Sequence, residues 1–326
     1  MHRQTTETDR PSHRRNPMIP FHPLFRNPHL QTIAAHFWQR PRAAQPTERR
    51  VIETEPGISV LVESQRPAAA VGEIVMLHGL EGSGKAGPIE SLAAAALRSG
   101  YAAHRFHMRT CGGTEHLSPT LYHAGLTSDL AAVLRIFRKE GRAPAYLVGH
   151  SLGGNVALKL AGELGDSAAE LMRGVCGVSV PLDLEACARR ISARDNRLYE
   201  QRFVRKMRRR LLSTGRYAEA DLAGLDSLIA IDDRVTAPSF GLGTADNYYR
   251  TQSAIGYVDR IRVPTLLIQA KDDTFVPWRI LEHPAVCGNP SIQTLLTEHG
   301  GHLGFLARGP HRFWLDAAIL DWIRAQ

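Results

Sequence analysis

The run "AYLVGHSLGGN" (residues 145–155) decides the fold. An apolar β-type run, Tyr146-Leu147-Val148, leads into Gly149-His150-Ser151-Leu152-Gly153, a G-x-S-x-G string, and the small residues after it open a helical pattern. The string alone is weak, since only three of its five places are fixed. Its context makes it strong. A buried strand that turns sharply into a helix raises the serine hydroxyl above a sheet, and the flanking glycines let strand and helix approach closely. The start of that helix also directs free N–H groups and the positive end of its dipole at any developing anion.

A serine hydroxyl is a poor nucleophile until a base takes its proton, so a histidine and an orienting acid must follow. Downstream, the apolar run "TLLIQA" enters "KDDTFVP", where Asp273 is the better candidate acid and Asp272 its rival. The plainer role for one of the two is a cap or a turn. After the last β-type run comes "EHGGHLGF". His302, flanked by glycines on a loop, can reach over Ser151, whereas His299 sits closer to the strand and reads as structural. The order Ser, Asp, His is that of α/β hydrolases and of neither serine-protease arrangement.

Upstream, "HGLEGSGKAG" (residues 78–87) admits two readings. From Gly79 it matches seven places of a phosphate-cradling P-loop, but the eighth is Ala86, which has no hydroxyl for a magnesium ion. From His78 it reads H-G-x-x-G after the apolar run "EIVML", where serine hydrolases build an oxyanion hole. The backbone N–H groups of Leu80 and Leu152 are then the expected oxyanion donors, and Lys85 is a surface residue.

From residue 50 onward, β-rich runs alternate with helical patterns, as in a mostly parallel sheet covered on both faces. "RRVIETE" and "ISVLVES", separated by Pro56-Gly57, read as an opening hairpin. The alternation stops at Pro181, continues for some way as polar, Arg-rich helix, and resumes at "PTLLIQA". The expected organisation is a disordered tail over residues 1–20, a core of residues 21–181 and 257–326, and a helical lid over residues 182–256. Such a lid would lie over the C-terminal strand ends, where open α/β sheets place their ligands.

The chain carries a formal net charge of +8, with cations crowded between Arg189 and Arg216. No aromatic platform is interleaved with them, so nucleic acid is not the expected partner. Leu198, Phe203, Met207 and Leu211 recur at helical spacing instead, which describes a basic amphipathic helix. Its plainest role is a solvated lid helix facing outward, and its charge also suits peripheral contact with an anionic membrane. No apolar run approaches the roughly 20 residues that a membrane span needs, and the N-terminus has no apolar signal-peptide core. The four cysteines form no C-x-x-C pair, which argues against zinc and against a disulfide framework. A reducing, cytoplasmic setting is the expectation.

The chain resembles the α/β-hydrolase fold-4 family, the YheT-like bacterial esterases and their eukaryotic lipase relatives. The resemblance runs from about Phe21 to the C-terminus through "NPHLQT" (residues 27–32), "HGLEGS", "RTCGG", "LYHAGLTSDL", "GHSLGGN", "TAPSFGLGTADNYYR", "PTLLIQAKDD" and "HGGHLGF". "NPHLQT" and the Tyr248-Tyr249 segment are its specific marks, because generic α/β hydrolases lack them. Carried over by motif, the family's triad falls on Ser151, Asp273 and His302. Two places depart: the usual "DDPF" is "DDTF", with Thr274 for proline, and "NFRG" becomes "HMRTCGG". The first bears on the turn that presents Asp273 and the second on the acyl pocket.

The resemblance implies hydrolysis of carboxylic esters, short- to medium-chain acyl esters or acylglycerols, without metal or organic cofactor. An acyltransferase would use the same residues and differ only in whether water or an alcohol takes the acyl group. A non-catalytic lipid-surface protein on the same fold would have no need of the full Ser, Asp and His set.

Overall fold

The computed structural model describes residues 19–326. Residues 1–18 of the expected tail lie outside the described residues. Eight strands form one sheet in the order β1-β2-β4-β3-β5-β6-β7-β8. They are β1 (Glu48–Glu55), β2 (Ile58–Gln65), β3 (Glu73–Leu77), β4 (Ala102–Phe106), β5 (Ala145–His150), β6 (Met172–Val178), β7 (Thr265–Ala270) and β8 (Ile292–Thr297). The run from β4 through β3, β5, β6 and β7 to β8 is parallel, and the β1–β2 hairpin joins it antiparallel at the β4 edge. Gly57 turns that hairpin at φ 73°, where a side chain would be strained.

The central strands are apolar on both faces because helices cover both. Along β3, Val75 and Leu77 point into one core, and Ile74 and Met76 into the other. The helices used below are α1 (Pro28–Phe37), α2 (Gly87–Arg98), α3 (Ser128–Lys139), α4 (Leu152–Leu164), α5 (Leu184–Ile191) and α6 (Arg197–Ser213). α3 and α4 pack on one face through Leu130, Val133, Leu134, Val156 and Leu160. α2 and the C-terminal helix (Trp314–Arg324) pack on the other through Leu92, Leu315, Ile319 and Ile323. The α/β-hydrolase architecture expected from the sequence is the one observed.

Between β6 and β7 the chain is helical and carries a small core of its own, in which Val204, Met207 and Leu211 of α6 meet Leu222, Leu228 and Ile231. Two details of α6 differ from the sequence reading. Leu198 is 81% exposed and lies outside the apolar stripe. Arg210, grouped there with the outward cations, is buried on the stripe's own side. Helical spacing alone does not distinguish an arginine that points inward to a carboxylate from one that points to water.

β3 and the start of α4 touch through backbone. A Cβ on Gly153 would stand 2.6 Å from the His78 carbonyl oxygen and 2.7 Å from that of Leu77. Gly153→Ala must therefore push β3 and α4 apart, at about 1–3 kcal/mol of stability. Gly256→Ala, at an exposed site with nothing near, is the control. Thermal melting of both variants checks this; equal melting temperatures would show that the contact relaxes freely.

Candidate active site

Ser151 occupies the turn between β5 and α4 at φ 52° and ψ −122°, a backbone region that L-residues avoid. Its N–H donates to the Val178 carbonyl at 2.8 Å, and its carbonyl accepts from the Gly154 N–H at 2.8 Å. These bonds tie the turn to β6 on one side and to α4 on the other. The hydroxyl is left facing the cavity above the strand ends.

Asp273 follows β7 on a turn that its own carboxylate closes. Oδ1 accepts from the backbone N–H groups of Phe275 at 2.8 Å and Val276 at 3.1 Å, and Oδ2 accepts from Gln269 Nε2 at 3.2 Å. Three donors hold a side chain with no solvent exposure. His302 Nδ1 lies 3.0 Å from Asp273 Oδ2 and 3.1 Å from Oδ1, and its Nε2 lies 3.0 Å from Ser151 Oγ. With Nδ1–H committed to the carboxylate, the Nε2 lone pair faces the serine proton, the arrangement that activates an alcohol. The turn closes without the family's proline: Thr274 presents its carbonyl to Asn196 Nδ2 at 2.6 Å, and Phe275 packs its ring 4.6 Å from that of His302.

The rival side chains make a separate pair. Asp272 Oδ2 lies 3.1 Å from His299 Nδ1, and Oδ1 accepts from the Gly301 N–H at 2.9 Å. Alternate residues of a turn point in opposite directions, so Asp272 braces the histidine loop from outside while Asp273 faces inward.

The sequence reading gave α1 no structural role, and this helix clamps the same loop. The His302 N–H donates to Thr32 Oγ1 at 2.9 Å, and Gln31 Nε2 donates to the Leu306 carbonyl at 2.8 Å. Both residues belong to "NPHLQT", which starts α1: Asn27 caps it by accepting from the Leu30 N–H at 3.0 Å, and Pro28 stands in its first turn. The capping pattern was available in the sequence; the target 270 residues away was not.

The loop after β3 runs beside the serine, with a Cβ on Gly79 falling 3.2 Å from Ser151 Cβ. Among the described residues neither the Leu80 N–H nor the Leu152 N–H donates to another protein group, and both residues line the cavity with Ser151. The next residue, Glu81, is held at φ 53°. Its N–H donates to Tyr122 Oη at 3.0 Å, and Tyr122 Oη donates to Glu81 Oε1 at 3.1 Å. Arg210 of α6 completes the set, with Nε 2.9 Å and 3.1 Å from the two carboxylate oxygens and Nη1 donating to Thr110 Oγ1 at 3.1 Å. Burial opposes charge on Arg210, but the Glu81 carboxylate outweighs it and raises the guanidinium pKa. This ion pair was hidden from the sequence, since 129 residues separate its members.

The cavity encloses about 1210 Å³ and joins Ser151 and His302 to α1, α5 and α6. Other histidines nearby are poor bases. Burial pushes His78 and His150 down to about 4, with the His107 and Arg40 charges adding smaller effects of the same sign. Burial, with Lys159 and Arg109, pushes His123 to about 3. Asp232, at the cavity wall, is raised to about 6 by burial against the opposing hydrogen bond from Tyr249 Oη at 2.8 Å. Among the described residues no cluster of three or more His, Cys, Asp or Glu side chains is placed to hold a metal ion, and no helix is long and apolar enough to cross a membrane.

Sheet order, turn and cavity define an α/β hydrolase, and residues 73–308 match the family described as alpha/beta hydrolase fold. The chain belongs to the YheT-like members of that family: it is 34% identical over 312 residues to the putative esterase YheT of Escherichia coli K12, covering 92% of this chain and 91% of that one. It is 29% identical to the mouse phospholipase ABHD3 over 240 residues, 72% of this chain and 58% of that protein. The zebrafish monoacylglycerol lipase ABHD2 is also 29% identical, over 243 residues that cover 67% of this chain and 57% of that protein. Among solved structures, the Pyrococcus furiosus esterase Pf2001 superposes with a TM-score of 0.59 at 16% identity, covering 88% of this chain and 97% of that one, a likeness of fold.

The geometry ranks the four polar side chains around the serine. His302→Ala and Asp273→Asn are expected to slow labelling of Ser151 by a fluorophosphonate by about 10³-fold or more. His299→Ala and Asp272→Asn should stay within about tenfold of the native chain. Labelling rates by gel fluorescence read the ranking directly, and a reversed order would move the acid and base to the outer pair.

Proposed function

We propose that the protein is a serine carboxylic-ester hydrolase working through an acyl-enzyme. The observation that carries this reading is the continuous relay from Asp273 through His302 to Ser151, with steps of 3.0 Å each. In this reading Ser151 Oγ attacks the acyl carbonyl as His302 Nε2 takes its proton, and the carbonyl electrons move onto oxygen. That oxyanion is received by the N–H groups of Leu80 and Leu152, a contribution worth about 100-fold or more in rate per donor. Collapse expels the alcohol, which takes the proton back from His302. Water then repeats the two steps on the acyl-serine and frees the acid. Asp273 holds the imidazole tautomer and stabilises the imidazolium.

Substrate class follows from the cavity and the relatives. A largely apolar chamber of about 1210 Å³ accommodates an acyl chain as well as a compact alcohol. Relatives named as an esterase, a monoacylglycerol lipase and a phospholipase support acyl esters, acylglycerols among them. The segment over residues 182–256 acts as the lid: it walls the chamber and excludes water.

Arg210 is assigned a positioning role. It grips Glu81, the residue after the proposed donor Leu80, so its loss should lower kcat and leave KM for a short ester within a fewfold. Arg210→Met is expected to lower kcat on p-nitrophenyl butyrate by about tenfold or more. Equal kcat in the variant, or a change confined to KM, would remove the role.

Ser151→Ala should abolish p-nitrophenyl ester hydrolysis, by about 10⁴-fold or more in kcat, with melting essentially unchanged because alanine meets the same backbone strain. Mass spectrometry of the native chain caught with a slow ester should show the acyl group on Ser151. Activity surviving in the variant within about tenfold would overturn covalent catalysis there.

A further inference from the structure

Eight of the nine cations of α5 and α6 sort into two sets; the ninth, Arg197, stands exposed at the start of α6 and forms no ion pair among the described residues. Arg189, Arg190, Arg208 and Arg210 are paired with Glu185, Asp195, Glu219 and Glu81. Among the described residues Arg202, Arg205, Lys206 and Arg209 form no ion pair, and all four are exposed. Their spacing puts them on one stripe of α6 with the exposed Leu198, opposite the buried Val204, Met207 and Leu211.

α1 lies against this stripe, with Arg202 Nη2 donating to His36 Nε2 at 2.7 Å and Tyr199 Oη 3.2 Å from His29 Nδ1. It is a short helix that is apolar where it should be polar. Leu30, Ile33 and Phe37, spaced three and four apart, are 54%, 43% and 73% exposed, and Trp38 at its end is 41% exposed. The opposite face, Gln31 and Ala35, is the buried one. Ile33, Phe37, Trp38, Leu198, Arg202 and Lys206 all border the cavity that holds Ser151. His36 responds to this charge: burial lowers its pKa, and Arg202 and Lys206 lower it further.

We propose that the exposed stripes of α1 and α6 form one docking surface for an anionic lipid bilayer, set around the mouth of the cavity. The inference rests on the acyl-ester reading above and names where such a substrate enters. An apolar stripe flanked by unpaired cations is the pattern that seats a helix in the headgroup layer, apolar side chains down and cations at the phosphates. A second copy of the chain suits it poorly, because a twofold contact would bring the cation stripe against itself. The N-terminal residues suit it no better, since Arg3, Arg10, Arg14 and Arg15 exceed Glu7 and Asp9 there. The surface differs from the one expected from sequence, which lay on the basic helix alone: Arg208 of that helix is spent on Glu219 and the Leu222 carbonyl, and the apolar half comes from α1.

The test is flotation of the full chain carrying Ser151→Ala, which cannot consume lipid, with vesicles of phosphatidylcholine alone or mixed with phosphatidylglycerol. Binding should require phosphatidylglycerol and weaken with salt. The double variants Leu30→Ser/Phe37→Ser and Arg205→Glu/Arg209→Glu should each lower partitioning by about tenfold or more, with melting temperatures confirming that these exposed changes leave the fold intact. Trp38 emission should shift to the blue on binding, and Trp38→Phe should remove the shift. Failure to float with anionic vesicles, or variants that float like the parent, would overturn the proposal. So would a dimer by light scattering that Leu30→Ser/Phe37→Ser converts to monomer, or binding of an acidic protein in place of vesicles. Loss of fluorophosphonate labelling in the native chain with flotation intact would sink the hydrolase reading and leave the surface standing.

Discussion

Everything near the cavity is built around a backbone that Ser151 would not adopt on its own. A serine at φ 52° and ψ −122° costs about 1–3 kcal/mol and persists only where its surroundings over-determine it. Here the determinants are the bond from its N–H to β6, the start of α4, and the backbone contact between Gly153 and the end of β3. Removing side chains at Gly149, Gly153 and Gly154 brings β3, β5 and α4 close enough to force the turn. The sheet supplies the rigidity, and the strain lifts one hydroxyl clear of it.

From that fixed point three loops must arrive at matching places, and each is held by a different device. The acid turn is closed by its own carboxylate, so Asp273 is aimed by the same bonds that fold its loop. The histidine loop cannot close itself. It is clamped from α1 by Thr32 and Gln31 and braced from the β7 turn by Asp272. The loop after β3 is held by Tyr122 and by Arg210 reaching across from α6. Two of the three supports therefore come from outside the core sheet, from an N-terminal helix and from the segment between β6 and β7.

This division explains what the sequence disclosed. Strand and helix positions were legible because apolar periodicity is local and the sheet is covered on both faces. The relation of Ser151 to His302 and Asp273 was legible because chain order and loop ends constrain it. The choice between Asp272 and Asp273, two adjacent acids, had only a weak local basis; the turn's alternation separates their directions. Arg210 was misread for the same reason. Charge and spacing marked it as one more outward cation, and only its partner in a distant loop shows otherwise. α1 was visible as a motif without a purpose, since its targets lie at the other end of the chain.

The buried pair of Arg210 and Glu81 is best understood through position instead of stability. Taking both charges out of water costs several kcal/mol per ion, which their attraction and hydrogen bonds offset only in part, so an apolar pair of equal volume would stabilise the fold about as well. An apolar pair has no preferred direction, however. The planar guanidinium meets the carboxylate at a fixed angle while Tyr122 fixes the same carboxylate and the same residue's N–H, so Glu81 is constrained from both ends. A residue at φ 53° needs that constraint, because relaxing it would turn the Leu80–Glu81 peptide and shift Leu80 beside the serine. The pair also keeps net charge away from Ser151: Glu81 cancels the cation that α6 brings within reach of the cavity. The proposed oxyanion donors beside the serine are then neutral N–H dipoles, whose strength does not depend on salt.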